Sequence, residues 1–268
     1  MRTGTTQAGH VLGIFAAASA LALGGGCSDD VVCPESVPGD VPFIAASLVE
    51  TAADGASETA VELYCAADPL PGILVAFVNE RELTDVGPAP DQIGLLATLE
   101  ESVLVWTTGT RCSLKVTTEY GFATSGATLP EPFQVTAPLF LCVGDALTLT
   151  WSRSTSADYY VVSAKLEGTR TESALSATTT DTCASFGPSE IAGPGIVTGV
   201  VRAVSGPFPE SGASGNVSGA GWGFFTAAYG DTRSAFEVTV LDTAAPHTPL
   251  RPRPRAGHSS DMRIRLER

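Results

Sequence analysis

Between Phe43 and Leu241 no segment sustains the 3.6-residue apolar period of an amphipathic helix. The chain runs instead in short stretches of alternating polar and apolar residues, broken by many of its 28 glycines and 18 prolines. A period of two turns one face of each stretch toward a core, and Gly and Pro end such stretches rather than extend them. Strands are expected at Ile44–Val49, Thr59–Ala66, Ile73–Asn79, Ser102–Thr107, Cys112–Thr118 and Phe133–Thr136. Pro138 opens a second series at Leu139–Cys142, Ala146–Ser152, Tyr159–Leu166, Ser176–Cys183, Ile196–Ser205, Gly221–Ala228 and Ala235–Leu241. Ile93–Leu99 is compatible with a strand or with one to two helical turns. An all-β fold follows.

The charge is acidic, −14 for the whole chain, and unevenly spread. Six of the fifteen basic residues (Arg251, Arg253, Arg255, Arg263, Arg265, Arg268) lie in the last eighteen positions, so the rest is more acidic still. Such a surface repels phosphate backbones, and nucleic acid is not an expected partner. All three histidines, His10, His247 and His258, fall outside Cys27–Pro246. That removes Ser-His-Asp and Cys-His catalysis and every His-containing zinc site from the body. Lys115 and Lys165, the two lysines, complete no S-x-x-K motif. No catalytic residue, metal site or cofactor is expected.

At the N-terminus, Arg2 precedes an uncharged and mostly apolar run from Val11 to Leu23. That run suits a signal-peptide core and is shorter than the about 20 apolar residues of a spanning helix. Gly24-Gly25-Gly26-Cys27-Ser28-Asp29-Asp30 follows. Small residues before a cysteine, then a polar tail, resemble the lipobox of bacterial lipoproteins, although Gly24 stands where that family prefers Leu. The resemblance implies cleavage after Gly26 and acylation of Cys27, with several acyl chains anchoring the chain stably. Ser28 after the cysteine implies outer-membrane delivery. Ordinary secretion, with cleavage after Ala20 or Ala22, would instead leave a periplasmic or secreted protein. Residues 1–26 thus read as the signal, and the Asp-, Pro- and Gly-rich residues 27–42 as a tether.

The two strand series are alike. Leu147, Leu149 and Trp151 alternate with threonines and Ser152, and Tyr159-Tyr160 follow after a turn. This pattern resembles strands B and C of fibronectin type III domains, and Val197 to Gly206 resembles the F strand of that family, with Val197 in place of the usual tyrosine. Cys65 and Cys112 occupy the positions of Trp151 and Val197 in the earlier series. The resemblance implies two tandem β-sandwich domains of the fibronectin III or immunoglobulin type, at residues 43–137 and 138–241. It also implies a Cys65–Cys112 bridge like the B–F disulfide of immunoglobulin domains, since both thiols share the apolar face of their strands. Cys142 and Cys183 would then pair within the second half. Cys33 is left free or pairs with a neighbour, and a Cys27–Cys33 bridge is the alternative if Cys27 carries no lipid.

The segment Gly212–Tyr229 holds Trp222, Phe224, Phe225 and Tyr229 among glycines. These rings are candidates for a ligand surface on which a glycan could stack; the plainer reading is a loop feeding a core strand, because Trp222 and Phe224 alternate with Gly223 and Phe225. Acidic pairs such as Glu80/Glu82, Glu100/Glu101 and Asp85/Asp91 match no EF-hand and read as solvated faces. Residues 242–268 form a Pro- and Arg-rich tail that suits a disordered extension. The expected function is a non-catalytic, lipid-anchored envelope protein, acting at the bacterial outer membrane or cell surface as a binding or spacer module for protein or glycan. Its alternatives are a carboxylate-dependent polysaccharide hydrolase or its accessory binding subunit, and a structural subunit of an envelope complex.

Overall fold

A computed structural model describes residues 41–53, 56–90, 93–168, 172–208 and 214–242. The signal, Cys27, Cys33 and nearly all of the tether and tail lie outside the described residues. Those described are all-β. In chain order the strands are β1 (Phe43–Ala53), β2 (Ala56–Ala66), β3 (Val75–Val78), β4 (Arg81–Glu82), β5 (Asp85–Pro88) and β6 (Gly94–Glu101). Then come β7 (Arg111–Thr118), β8 (Gly121–Thr128), β9 (Val135–Thr136), β10 (Phe140–Cys142), β11 (Leu147–Trp151) and β12 (Tyr159–Gly168). The last six are β13 (Glu172–Thr179), β14 (Cys183–Phe186), β15 (Gly195–Ser205), β16 (Ser218–Gly219), β17 (Trp222–Asp231) and β18 (Ala235–Leu241).

The first sandwich sets β17-β1-β2-β6-β5 against β16-β8-β7-β3-β4. Alternation chooses its core: Ile44, Ala46 and Leu48 of β1, Val61, Leu63 and Cys65 of β2, and Cys112, Leu114 and Val116 of β7 are all buried. The second sandwich sets β9-β11-β14 against β10-β18-β15-β12-β13. Leu147, Leu149 and Trp151 of β11 pack there with Tyr160, Val162, Val197 and Val201. Two immunoglobulin- or fibronectin-type sandwiches in tandem are therefore present.

They are not separate beads. Strand β15 gives one edge to β12 along residues 195–204. On its other edge, Gly195–Val200 pair with Ala235–Val240 of β18, while Ala203–Ser205 pair with Ala227–Tyr229 of β17. β17 and β18 thus run collinearly past β15, separated by a bulge at residues 231–234. That bulge is built by Asp231: its N–H donates to Ser234 Oγ at 2.8 Å, and its carboxylate accepts from the Arg233 N–H and guanidinium, both at 2.9 Å. Beyond the bulge, β17 lies parallel to β1 over ten register pairs, Phe43–Trp222 to Ala52–Asp231. Phe225, Ala227 and Tyr229 consequently belong to the first core, although they come late in the 138–241 half of the chain. One ten-stranded sheet runs through both sandwiches.

Two strand expectations change and one alternative is decided. Ser102–Thr107 is a loop, because its backbone N–H groups bond to the Glu50 side chain instead of a neighbouring strand. Ser176–Cys183 divides at Asp181 between β13 and β14, which belong to opposite sheets. Ile93–Leu99 resolves as strand β6.

Candidate functional site

The aromatic run divides by strand parity. Phe225 (0% exposed) and Tyr229 (6%) point into the first core and are not available at the surface. Trp222 and Phe224, on the other face of β17, are half-buried on the outside of the ten-stranded sheet. They meet there a residue outside the aromatic segment. Phe43 lies opposite Trp222 in the parallel register, with ring centroids 4.7 Å apart, and its ring reaches Phe224 at 6.3 Å and Tyr64 at 6.5 Å in edge-on contacts. A Cβ at Gly94 would overlap the Tyr64 ring, so this glycine makes room for the platform's far end. The observed surface is therefore Phe43, Tyr64, Trp222 and Phe224, supplied by three adjacent strands. Trp222 Nε1 is buried and, among the described residues, has no acceptor. The only signal for Phe43 and Tyr64 in the sequence was their odd and even places in two strands, whose pairing register could not be read.

The expected disulfides are not formed: Cys65, Cys112, Cys142 and Cys183 are free thiols. Face parity was sufficient to bury Cys65 and Cys112, but the two sit at opposite ends of the sandwich. Cys112 at the start of β7 feels the charge of Glu50, whose partner on β2 is Thr59. Cys65 lies six residues further along β2 and feels Glu119, beyond the other end of β7. At about 3.3 Å per residue this is a separation near 20 Å, whereas a disulfide holds Cα atoms within about 7 Å. Cys142 lies on β10, and exposed Cys183 starts β14 opposite Thr150 of β11, in the other sheet; both are free. Burial pushes the Cys65 thiol up to about 12, with Glu119 adding to it, and the Cys112 thiol up to about 11, with Glu50 adding to it. A thiol-alkylating reagent is expected to modify exposed Cys183 in the native protein and to reach Cys65 and Cys112 only after unfolding, read by peptide mass. Native modification of Cys65 or Cys112 would contradict this packing.

Three charged residues, Glu50, Arg202 and Asp231, are buried in the body. Glu50 is wholly buried; its Oε1 accepts from the N–H groups of Val105 at 3.2 Å and Trp106 at 2.9 Å, pinning the 102–107 loop. Its inward place continues the alternation of Ile44, Ala46 and Leu48 two residues further. Burial holds its carboxyl above the usual carboxylate range, against the opposing pull of the Trp106 N–H. A raised folded-state pKa means stability is complete below the unfolded-state value and declines as pH rises through the folded one. Glu50→Gln is expected to flatten the fall of the urea midpoint as pH rises above the ordinary carboxylate range; parallel curves for the two proteins would refute the assignment.

Arg202 is 8% exposed on the outer face of β15, its Cγ beside the bare Cα of Gly230. Burial lowers its pKa, against the charge of Glu58 on β2. Near it, Tyr159, Val204 and Ala228 close a small apolar cluster at the junction of the two sandwiches. Asn216 bonds to both backbone groups of Phe225, at 2.8 and 2.9 Å, so its amide serves the fold. The acidic pairs lie on turns and strand ends: Glu80 and Glu82 flank the β3–β4 turn, Glu100 and Glu101 end β6, and Asp91 is outside the described residues. Among the described residues no group of three His, Cys, Asp or Glu side chains could hold a metal ion. Nor is any helix among them long and apolar enough to cross a membrane.

No family model matches the chain, and no curated protein matches it. Solved structures do. The titin Ig tandem domains A164-A165 align over 77% of this chain and 100% of theirs, at 13% identity and a TM-score of 0.23. The chicken CNTN1 FN1-FN3 domains align over 72% of this chain and 67% of theirs, at 12% identity and a TM-score of 0.22. The human OSCAR ligand-binding domain aligns over 69% of this chain and 95% of its own, at 14% identity and a TM-score of 0.23.

Proposed function

We propose that the chain is a non-catalytic, lipid-anchored protein of a bacterial envelope, which holds two sandwiches off the membrane as one stiff body. A sandwich pair of this type suits a binding or spacer module, and fold alone goes no further. The observation that carries the stiff-body reading is the ladder of β15, which bonds to β17 of the first sandwich and β18 of the second without an intervening linker. Phe43, Tyr64, Trp222 and Phe224 are the surface by which this body would hold an envelope protein or glycan, since amphipathic rings contribute most of the contact energy at such surfaces. Anchoring through Cys27 rests on the Gly24–Asp30 sequence alone.

The test is affinity purification of the tagged protein from its own envelope, with intact-mass analysis. The expected product begins at acylated Cys27 and brings down a protein or glycan that Trp222→Ala with Phe224→Ala releases, while the circular dichroism of the folded sheets is retained. An unacylated product in the cytosolic fraction would overturn the anchoring. Capture that is indifferent to both substitutions would overturn the surface.

A further inference from the structure

A sheet edge is a row of unpaired N–H and C=O groups, and natural sheets blunt their edges with short strands, charge or proline. Among the described residues seven strands have a single ladder partner: β4, β5, β9, β10, β13, β14 and β16. Six of them span two to four residues. β4 is Arg81-Glu82, and β5 begins with Asp85 and ends with Pro88. β13 is the exception. It spans eight residues, pairs with β12 alone, and after Glu172 at its start carries no charge and no proline through Thr179. Leu175 anchors it in the second core at 4% exposed, while Ala174, Ser176 and Thr178 stand exposed on the outer face.

We propose that β13 pairs antiparallel with β13 of a second copy of this chain. A two-fold axis normal to the sheet places each residue opposite a residue of the same face, and an isologous contact must complement itself. With the axis at Leu175, that leucine faces its own copy, Ala174 faces Ser176, and Ser173 faces Ala177. These central pairs are small or apolar, Glu172 faces Thr178, and no pair opposes like charges, which an acidic chain would find hard to avoid elsewhere. The edge then extends the ten-stranded sheet of one copy into that of the other. The net charge of −14 repels two copies at long range, so this association strengthens with salt, opposite to one held by ion pairs. The inference does not depend on the anchoring or on the aromatic surface.

The experiment uses the full chain carrying Cys27→Ser, so that acyl-driven micelles are absent, in reducing buffer, which removes species linked through exposed Cys183. Sedimentation across roughly 1–300 μM, the span that resolves a micromolar Kd, is expected to show the mass rising from one chain toward two, and further with salt. Ala174→Lys with Ser176→Lys faces lysine with lysine at both crossings and is expected to leave a folded monomer throughout. Ala174→Lys with Ser176→Glu faces lysine with glutamate and is expected to restore the dimer. A wild-type monomer at every concentration, a dimer that survives the double lysine, or a failure of the lysine–glutamate pair to restore it would each overturn the proposal.

Discussion

A chain ending at Ala137 is expected not to fold, although it contains eight consecutive strands of the first sandwich. It lacks β17, and with it Phe225 (0% exposed), Ala227 and Tyr229 of the core. Removing a buried phenylalanine alone costs about 3–5 kcal/mol, against a total stability of roughly 5–15 kcal/mol for a domain. The same truncation strips β1 of its ten parallel register pairs and leaves a long apolar edge open to aggregation. The measurement is a thermal melt by circular dichroism with an amide spectrum. No cooperative transition is expected from residues 41–137, and partial recovery is expected when a peptide of residues 214–242 is added. A sharp melt from the fragment alone would show that β17 is dispensable.

Gly223→Ala is expected to be the most damaging single methyl in the described chain. Gly223 has φ of +135°, a conformation that side-chain-bearing residues rarely adopt. A Cβ there would overlap the carbonyl of Ile44, backbone that cannot yield without breaking the β1–β17 ladder. Strain and clash together are expected to cost about 3 kcal/mol or more, read as a drop in the urea midpoint at unchanged slope. Gly87→Ala is the control: nothing lies within 4 Å of its Cβ, and a change within about 0.5 kcal/mol is expected. Equal midpoints for the two variants would remove the crowding argument.

What could be read in advance was face, not level. Alternation placed Ile44, Leu63, Cys65, Leu114, Leu149 and Val197 inward, because the pleat imposes it on any strand. It could not say how far along β7 the Cys65 thiol would fall, since that depends on loop lengths and register between strands that never touch. Gly121–Thr128 is not legible as a strand because, Phe122 apart, its small side chains offer little apolar contrast. Glu50 is not legible because a carboxylate at an inward position is costly unless a loop brings N–H groups to it, and residues 102–107 alternate like a strand. The aromatic segment was half legible: its parity separated Trp222 and Phe224 from Phe225. The distant strand that would lie beside it was set by the bulge at Asp231, for which the sequence offers only a turn-forming Asp-Thr-Arg-Ser.

The parallel pairing of β1 with β17 also decides how the body bears tension. Its N-terminal strand is held from the side of Phe43, and the chain leaves past Leu241 at the far end of the collinear β17–β18 run. A pull between those two points drags β1 and β17 in opposite directions along their common axis. All ten register pairs are then sheared together, where a hairpin pulled from its open end would unzip one rung at a time. Force–extension traces are expected to show one high rupture, lowered by Gly223→Ala. A protein tethered at one end and gripped at the other would yield at that latch only when the whole of it gives way.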